Sequence, residues 1–303
     1  MKISVIIVSY NFEHWLDRCL GSLRTSTIPV ETIVVDNCST DNTTNLIEKN
    51  YPEVMLIKNQ HNEGFGKANN IGIKYALNNH CDFVFLLNQD AWLNPDVIAT
   101  LLDKFQNNPR YGILSPVHLN GKGEALDTGF ARYSNLKNEE DLEAFQKVDQ
   151  DLVSIEKINA AFWMLSKKTL QEVGGFSPVF YHYGEDIDYI NRLHYHGYEI
   201  GFCPTVFGYH DRENRKPGKE DLLFQLIEFS NINNSFFKAF GYGILSGFKK
   251  AFIALYKEGF NEFTRLFSIT TGILLKSRLV IQFRRINKKS PEYYFFKKKI
   301  HNV

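Results

Sequence analysis

The first 120 residues alternate between two hydrophobic periods. Ile3–Val8 is an unbroken apolar, β-branched run, the pattern of a strand buried on both faces. Trp15, Leu16, Leu20 and Leu23 then recur at helical spacing. Thr32–Val35 predicts a second strand ending at Asp36. Ser39 or Thr40 is placed to cap the helix that follows, and Val54–Ile57 predicts a third strand. Phe65–Leu77 reads as helix and Phe83–Leu87 as a fourth buried strand. Asn94-Pro95 predicts a cap with proline in the first turn, ahead of an apolar face of Val97, Ile98, Leu101, Leu102 and Phe105. Ile113–His118 begins a further strand.

Repeated β-α-β units predict an α/β fold with a mostly parallel, doubly wound sheet and right-handed crossovers. Such sheets bind ligands outside the carboxyl ends of their strands. The polar residues that follow each strand should therefore share one rim: Ser9-Tyr10-Asn11, Asp36-Asn37, Asn59 and Asn88-Gln89-Asp90.

From Gly121 the pattern changes. Gly121-Lys122-Gly123 predicts a turn, and the polar, acidic stretch Asn138–Asp151 a loop or short helix. Asn159–Leu165 is a strand candidate, and Gly174-Gly175-Phe176 breaks the chain. Glu185–His196 is a short helix, and Tyr198–Cys203 and Val206–Tyr209 are two strands. Beyond about residue 221 the helical period dominates, with Ile244, Leu245, Phe248, Phe252, Leu255 and Tyr256 on one face.

Composition narrows the class. Of 303 residues 44% are hydrophobic, enough for a real core, which excludes a disordered or collagenous chain. The cysteines Cys19, Cys38, Cys81 and Cys203 are widely spread with no C-x-x-C pair. That spacing opposes a zinc site or disulfide framework and fits a reducing, cytoplasmic setting. The N-terminal apolar run is too short for a signal peptide. The longest apolar stretch, Leu266–Phe283, carries Lys276 and Arg278, so no membrane span is expected. A net charge of +1 conceals an asymmetry: residues 1–221 hold 21 Lys and Arg against 30 Asp and Glu, and residues 222–303 hold 14 against 4. This predicts two parts, a domain over 1–221 and a basic helical extension over 222–303.

The chemistry-bearing residues each admit two readings. No G-x-G-x-x-G or G-x-x-x-x-G-K-[ST] follows the first strand, which removes the main support for dinucleotide and P-loop binding. Asp36, at a strand end, suits the N3 hydrogen of uracil or thymine, with Tyr10 as a flat surface for the base; equally it can cap a turn. Asp90 offers a rigid carboxylate to a hard divalent cation, or forms a turn before Trp92. Glu185, Asp186 and Asp188 open a helix, where they complement its dipole or supply a general base held ionised. His210, just past a strand, is a structural imidazole or a metal ligand.

Taken in order, these pieces resemble the family 2 glycosyltransferases with a GT-A fold, especially the bacterial rhamnosyltransferase-like branch. The resemblance rests on Ser4–Asn11, Val34–Asp41, Asn62–Gly72 (Asn-Glu-Gly-Phe-Gly-Lys-Ala-Asn-Asn-Ile-Gly), Leu86–Asp90, Gly174–Phe176 and Gly184–Asp188. It covers residues 3–120 and 156–212. It implies a GT-A (nucleotide-diphospho-sugar transferase) fold; residues 222–303, where periodicity and charge predict the C-terminal helical extension, lie outside it. Tyr10 and Asp36 fall at nucleoside-binding positions, with Ser9 and Asn11 beside them counted among the nucleotide-sugar-binding residues, and Gly64, Asn69 and Asn70 lie in a loop near the nucleotide. Asn88-Gln89-Asp90 occupies the D-x-D slot that holds the sugar diphosphate, Asp90 being its last carboxylate. Asp186 matches the catalytic base and Glu185 its neighbour. His210 matches a second metal ligand, so Asp90 and His210 would share Mg2+ or Mn2+. Asn88 departs from the pattern: its amide reaches a hydroxyl but brings no charge to a metal.

The implied activity is inverting transfer from a dTDP- or UDP-sugar to a saccharide acceptor hydroxyl, with a lipid-linked acceptor in bacterial surface polysaccharide synthesis as the expected case. Two rivals are a sugar-phosphate nucleotidyltransferase, which lacks its Gly-rich basic loop here, and a non-catalytic nucleotide-sugar-binding scaffold. The basic tail carries Lys276, Arg278, Arg284, Arg285, Lys288, Lys289 and Lys297–Lys299 around Tyr293–Phe296. That mixture suits an anionic membrane surface, which predicts peripheral attachment to the inner face of the plasma membrane through about 270–300. The alternative is an amphipathic helix packed on the catalytic domain or on another subunit of a homo-oligomer. No role for nucleic acid is expected.

Overall fold

Why the early apolar runs become strands is visible in their burial. The computed structural model describes residues 1–134, 136, 140, 143, 151–211 and 220–289. β1 (Ile3–Ser9) is flanked by β2 (Glu31–Asp36) and β4 (Phe83–Asn88), and Val5, Ile6 and Ile7 are fully buried between helices on both faces. β3 (Met55–Lys58) extends the sheet beyond β2. The connections are α1 (Leu16–Arg24), α2 (Thr43–Asn50) and α3 (Phe65–Asn78). Gly72 of α3 lies so close to β1 and β2 that a Cβ there would stand 2.6 Å from Ile6.

The remaining elements of the sheet are β5 (Ala91–Leu93), α4 (Val97–Asn107), β6 (Tyr111–Asn120), α5 (Thr128–Ser134), β7 (Val153–Ile155), β8 (Phe162–Ser166), α6 (Lys167–Val173) and β9 (Glu199–His210). Strand order is β3-β2-β1-β4-β8-β6-β9-β5, with β7 paired to β9. The expected parallel pairing holds over β3-β2-β1-β4. Beyond β4 the sheet is mixed: β8 runs antiparallel to β4 and β6, β9 parallel to β6, and β5 and β7 antiparallel to β9. Short β5 and β7 escape the hydrophobic pattern because three residues cannot show a period.

Three further expectations are corrected. The two strands over Tyr198–Tyr209 are one, β9, interrupted by a bulge: Pro116 pairs with Cys203 but the next residue, Val117, pairs with Phe207. Neither Ser39 nor Thr40 caps α2, which starts at Thr43 after Asn42, because the Ser39 hydroxyl bonds the Asp36 carboxylate instead. α4 starts at Val97, after Asp96 rather than at Pro95.

The chain forms two compact units, 1–171 with 197–213, and 172–196 with 214–303. The charge boundary near 221 is thus not the packing boundary. The second unit holds α7 (Glu185–Tyr195), α8 (Glu220–Ser230), α9 (Phe236–Phe240), a π-helical turn (Gly241–Leu245), α10 (Ser246–Lys257), α11 (Phe260–Leu275) and α12 (Ser277–Lys289). Its core joins Val179 and Phe180 to Leu226, Phe229, Ile273, Val280 and Phe283, which is why the segment before α7 belongs with the later helices. Arg284 is buried and donates to the carbonyls of Phe229, Asn231 and Asn234, so it is a core clamp rather than one of the free cations of the tail. Tyr293–Lys299 and most of Asn138–Asp151 lie outside the described residues.

The predicted apolar face over 244–256 is split: Ile244 and Phe248 pack on the core, and the other four do not. Ala239, Gly243, Gly247, Ala251 and Ala254 turn inward, while Leu245, Phe252, Leu255 and Tyr256 are exposed. Close approach by α8 and α11 excludes large side chains: a Cβ on Gly243 would lie 2.5 Å from that of Phe229, and one on Gly247 2.5 Å from Gln225 Oε1.

Candidate functional site

β1 and β4 are neighbours whose crossovers lead away in opposite directions, so the crevice at their carboxyl ends is a topological switch point. The chain fastens that crevice with side chains. Gln89 Oε1 accepts from Tyr10 N at 2.7 Å, and Gln89 Nε2 donates to Tyr10 O at 3.2 Å. Gln89, assigned above to the nucleotide sugar, therefore spends its amide on the β1 loop. Asn11, at φ 53°, accepts from Thr40 N at 2.9 Å and donates its own N–H to the Ser39 hydroxyl oxygen. Cys38, opposite, is likewise left-handed at φ 68°. Two non-glycine residues held there mark a loop pair whose shape is over-determined by hydrogen bonds.

Asp36 is buried at the end of β2. Its Oδ1 accepts from the Ser9 and Ser39 hydroxyls and its Oδ2 from Ser39 N at 3.0 Å. Both readings of Asp36 thus begin from the same fact: it builds the turn. Asn37, beside it, was expected on the rim but given no role by the sequence. Its Oδ1 accepts from Asn59 and from Glu63 N, and its Nδ2 donates to Gly64 O, which ties β2 to the loop before α3. Gly64 caps α3 at φ 78°. Asn69 is buried and donates to Phe65 O within its own helix, and Asn70 is the next residue along.

The acidic end of the crevice is made by β4, β5 and β9. Ala91 pairs with His210, which brings the preceding Asp90 to the imidazole: Asp90 Oδ1 lies 3.3 Å from His210 Nε2. Asp127 Oδ2 lies 3.4 Å from the other nitrogen, Nδ1. Burial pulls the His210 pKa down, but the two carboxylates overcome it and the net shift is upward. Asn88 Nδ2 is 3.4 Å from His210 Nε2, and Asn88 Oδ1 is buried with no hydrogen-bond partner among the described residues.

This donor set fits a hard divalent cation. Cis donors on an octahedral ion with bonds of about 2.1 Å stand about 3 Å apart, close to the Asp90–His210 separation. The outer nitrogen faces a carboxylate, the usual arrangement behind a ligating histidine. Among the described residues no group of three or more His, Cys, Asp and Glu converges on one point. Asp127 was missed because it lies in a stretch without period. Its signal is local: it accepts from Phe130 N at 2.9 Å, as an N-cap to α5. Asn159 was missed too. It is buried, and neither its amide nitrogen nor its oxygen has a partner among the described residues.

The second unit carries the acidic run, and the structure sorts its members. Tyr183 and Gly184 are both left-handed, at φ 66° and 84°, and launch α7. Glu185 is buried, with Oε2 unpartnered among the described residues. Burial, then the neighbouring Asp186, pushes its carboxyl up to about 8. Asp186 is half-buried at the second position. Asp188 is buried in an ion pair with Arg192 at 2.9 Å, and the guanidinium continues to Val173 O and Gly175 O. Asp188 and Arg192 therefore hold the Gly174-Gly175 break in shape.

A half-sheet of order β3-β2-β1-β4 with a mixed second half and polar strand ends at the switch point defines a GT-A fold, a nucleotide-diphospho-sugar transferase architecture. The profile of glycosyl transferase family 2 matches residues 4–174, and the chain belongs to that family. A hexosyltransferase of low-salt glycan biosynthesis, Agl10 of Haloferax volcanii, is 25% identical over 231 residues, covering 76% of this chain and 73% of that protein. The N-acetylglucosaminyl-diphospho-decaprenol L-rhamnosyltransferase of Mycobacterium tuberculosis is 25% identical over 234 residues, 67% of this chain and 74% of its own. The crystal structure of Staphylococcus aureus TarS 1-349 with UDP-GlcNAc shares the fold at a TM-score of 0.57 and 16% identity, covering 98% of this chain and 93% of that one.

Proposed function

We propose that the chain transfers a hexosyl or deoxyhexosyl group from a dTDP- or UDP-sugar to a saccharide hydroxyl, with inversion at the anomeric carbon. The observation that carries this reading is the Asp90–His210 contact at the switch point of a family 2 fold. Three of the roughly four lone-pair sites of the Asp36 carboxylate are taken by Ser9 and Ser39. The remaining one accepts the N3 hydrogen of the base, and the half-exposed Tyr10 ring stacks on it. Asp90 and His210 would hold Mg2+ or Mn2+, and a cation there supplies positive charge against the diphosphate leaving group. Asp186 takes the proton of the attacking hydroxyl; a new bond to the anomeric carbon forms as the bond to the diphosphate breaks, releasing the nucleoside diphosphate. Glu185, neutral at pH 7, is a hydrogen-bond donor beside that base.

A lipid-linked saccharide is the acceptor we favour, in surface polysaccharide synthesis at the cytoplasmic side of the membrane. Its support is the name of the mycobacterial relative, whose acceptor is a diphospho-decaprenol. The test is product analysis by NMR with dTDP-rhamnose, UDP-glucose and UDP-GlcNAc against a saccharide-diphospholipid acceptor. Inverted product and a loss of about 10²-fold or more in turnover on Asp186→Asn are expected. Retained configuration, or an Asp186→Asn variant within a few-fold of wild type, overturns the reading.

A further inference from the structure

The helix formed by α9, the π-turn and α10 is packed inside out for a water-soluble surface. Its buried side is Ala239, Gly243, Gly247 and Ala251, each four residues from the last, followed by Ala254. A four-residue spacing drifts by about 40° per step around a regular α-helix. The wider π-turn at Gly241–Leu245 takes back part of that drift and keeps the small residues inward. Of the large residues, Ile244 is buried and Phe240 and Phe248 pack partly on the core, while the others point out. Tyr242, Leu245, Phe252 and Tyr256 are 50%, 58%, 56% and 95% exposed, and Phe237 is 86% exposed. Small residues between helices and large apolar ones outside is how helices pack where the surroundings are not water.

The neighbouring helix continues the surface. α11 lies against α10, and Phe252 meets Phe263 and Phe267 at ring distances of 5.5 and 6.5 Å. Phe260, Leu274 and Leu275 of α11 are exposed as well. An apolar exposure on this scale marks an interaction site.

Charge selects the occupant. Residues 236–257 contain Lys238, Lys249, Lys250 and Lys257 and no Asp or Glu. Lys238 and Lys249, with Gly241, Tyr242, Leu245 and Ser246, line a shallow open depression on the exposed face. A second protein surface that is wholly apolar would leave these ammonium groups unmatched. Phosphate head groups pair with them, while aromatic rings sit at the acyl boundary. Among the described residues no single helix is long and apolar enough to cross a bilayer. α11 and α12 pass together only as a pair bent by 53°, and α12 buries Val280, Phe283 and Arg284 in its own unit.

We infer that the α9–α11 face docks on an anionic lipid bilayer, lying in the interface without crossing it. This centres the membrane contact on residues 236–275 rather than 270–300, where Arg284 is already committed to carbonyls. The inference does not rest on the reaction proposed above, because its test reads binding and not turnover.

The experiment is co-sedimentation of the full chain with vesicles of phosphatidylglycerol and phosphatidylethanolamine, against neutral phosphatidylcholine vesicles. Binding is expected only to the anionic vesicles and weakens with salt. Lys249→Glu/Lys257→Glu is expected to lower partitioning at least 25-fold, at about fivefold or more per basic residue lost. Tyr242→Ser/Tyr256→Ser, both at exposed positions, is expected to lower it by about tenfold or more with an unchanged thermal melt. Lys297→Glu/Lys298→Glu/Lys299→Glu keeps binding within about threefold. Wild-type binding by both face variants, or loss confined to the tail variant, overturns the inference. So does a stable dimer in solution that the aromatic variant breaks without any vesicle binding by the wild type.

Discussion

Gln89 and Tyr10 form a closed ring of two hydrogen bonds, side-chain amide to backbone, across the gap between β4 and β1. Gln89→Leu leaves the Tyr10 N–H and C=O without those partners and is expected to destabilise the fold by about 1–2 kcal/mol. Gln89→Glu keeps the acceptor and loses the donor, so its cost is smaller. Urea titrations order the three proteins; equal midpoints refute the clamp. On the proposed reading the freed Tyr10 also weakens nucleotide binding, read by calorimetry with the nucleoside diphosphate.

Glu185 links stability to pH. Its folded pKa of about 8 lies above the ordinary glutamate value, so the folded chain keeps a proton that the unfolded chain releases. Stability is therefore lost as pH rises from about 4.5 to 8, with a slope of up to about 1.4 kcal/mol per pH unit from this group. Glu185→Gln removes that slope, so its stability relative to wild type is expected to grow steadily from pH 5 to pH 8. Parallel curves for the two proteins would mean that Glu185 is ionised in the fold.

Asp127 is the carboxylate behind His210 and Asp90 the one in front. Asp127→Asn is expected to weaken Mn2+ binding about 10- to 100-fold, the usual effect of losing such an outer partner. Asp90→Asn and His210→Ala are expected to weaken it further. Electron paramagnetic resonance of free Mn2+ reads the affinity directly. An Asp127→Asn variant with wild-type Mn2+ affinity assigns Asp127 to the α5 cap alone.

Asp188 and Arg192 are a buried pair, and removing one partner strands the other. Asp188→Asn is expected to cost about 3–5 kcal/mol. The double variant Asp188→Leu/Arg192→Met should not recover that loss, because the guanidinium also serves the carbonyls of Val173 and Gly175. Urea denaturation gives both values, and full recovery in the double variant would show that those two carbonyl bonds contribute nothing.

Asn159 is a polar side chain buried without partners among the described residues, which costs folding energy unless a ligand supplies them. Asn159→Ala is expected to leave stability unchanged or raised while lowering kcat/KM about tenfold or more. A variant both less stable and fully active would make Asn159 a structural residue.

The sequence disclosed the parts of this molecule in which one physical signal dominates. β1, β2 and β4 are apolar on both faces, so continuous hydrophobic runs announced them, and their polar ends followed from the rule for open sheets. What it could not disclose depends on pairing. Gln89 looks like a binding residue until β4 is set beside β1, and Asp127 is one more acid in an irregular stretch until β9 delivers His210 to it. The helix at 236–257 misled for a different reason. The apolar positions there divide between core and surface, whereas close packing selects the small residues Gly243 and Gly247, which carry no hydrophobic signal.

The bulge in β9 makes the position of His210 a matter of parity. Side chains along a strand alternate between faces, so an odd number of extra residues inverts everything downstream. Pro204, Thr205 and Val206 are three extra residues against none on β6. Because the count is odd, His210 faces the side on which Asp90 and Asp127 lie; with an even count its ring would turn to the opposite face. This stretch of the chain thus behaves like a reading frame. Substitutions at Thr205, which is exposed, leave the frame intact, whereas loss or gain of one residue there would disconnect the imidazole from both carboxylates while changing no residue of the site.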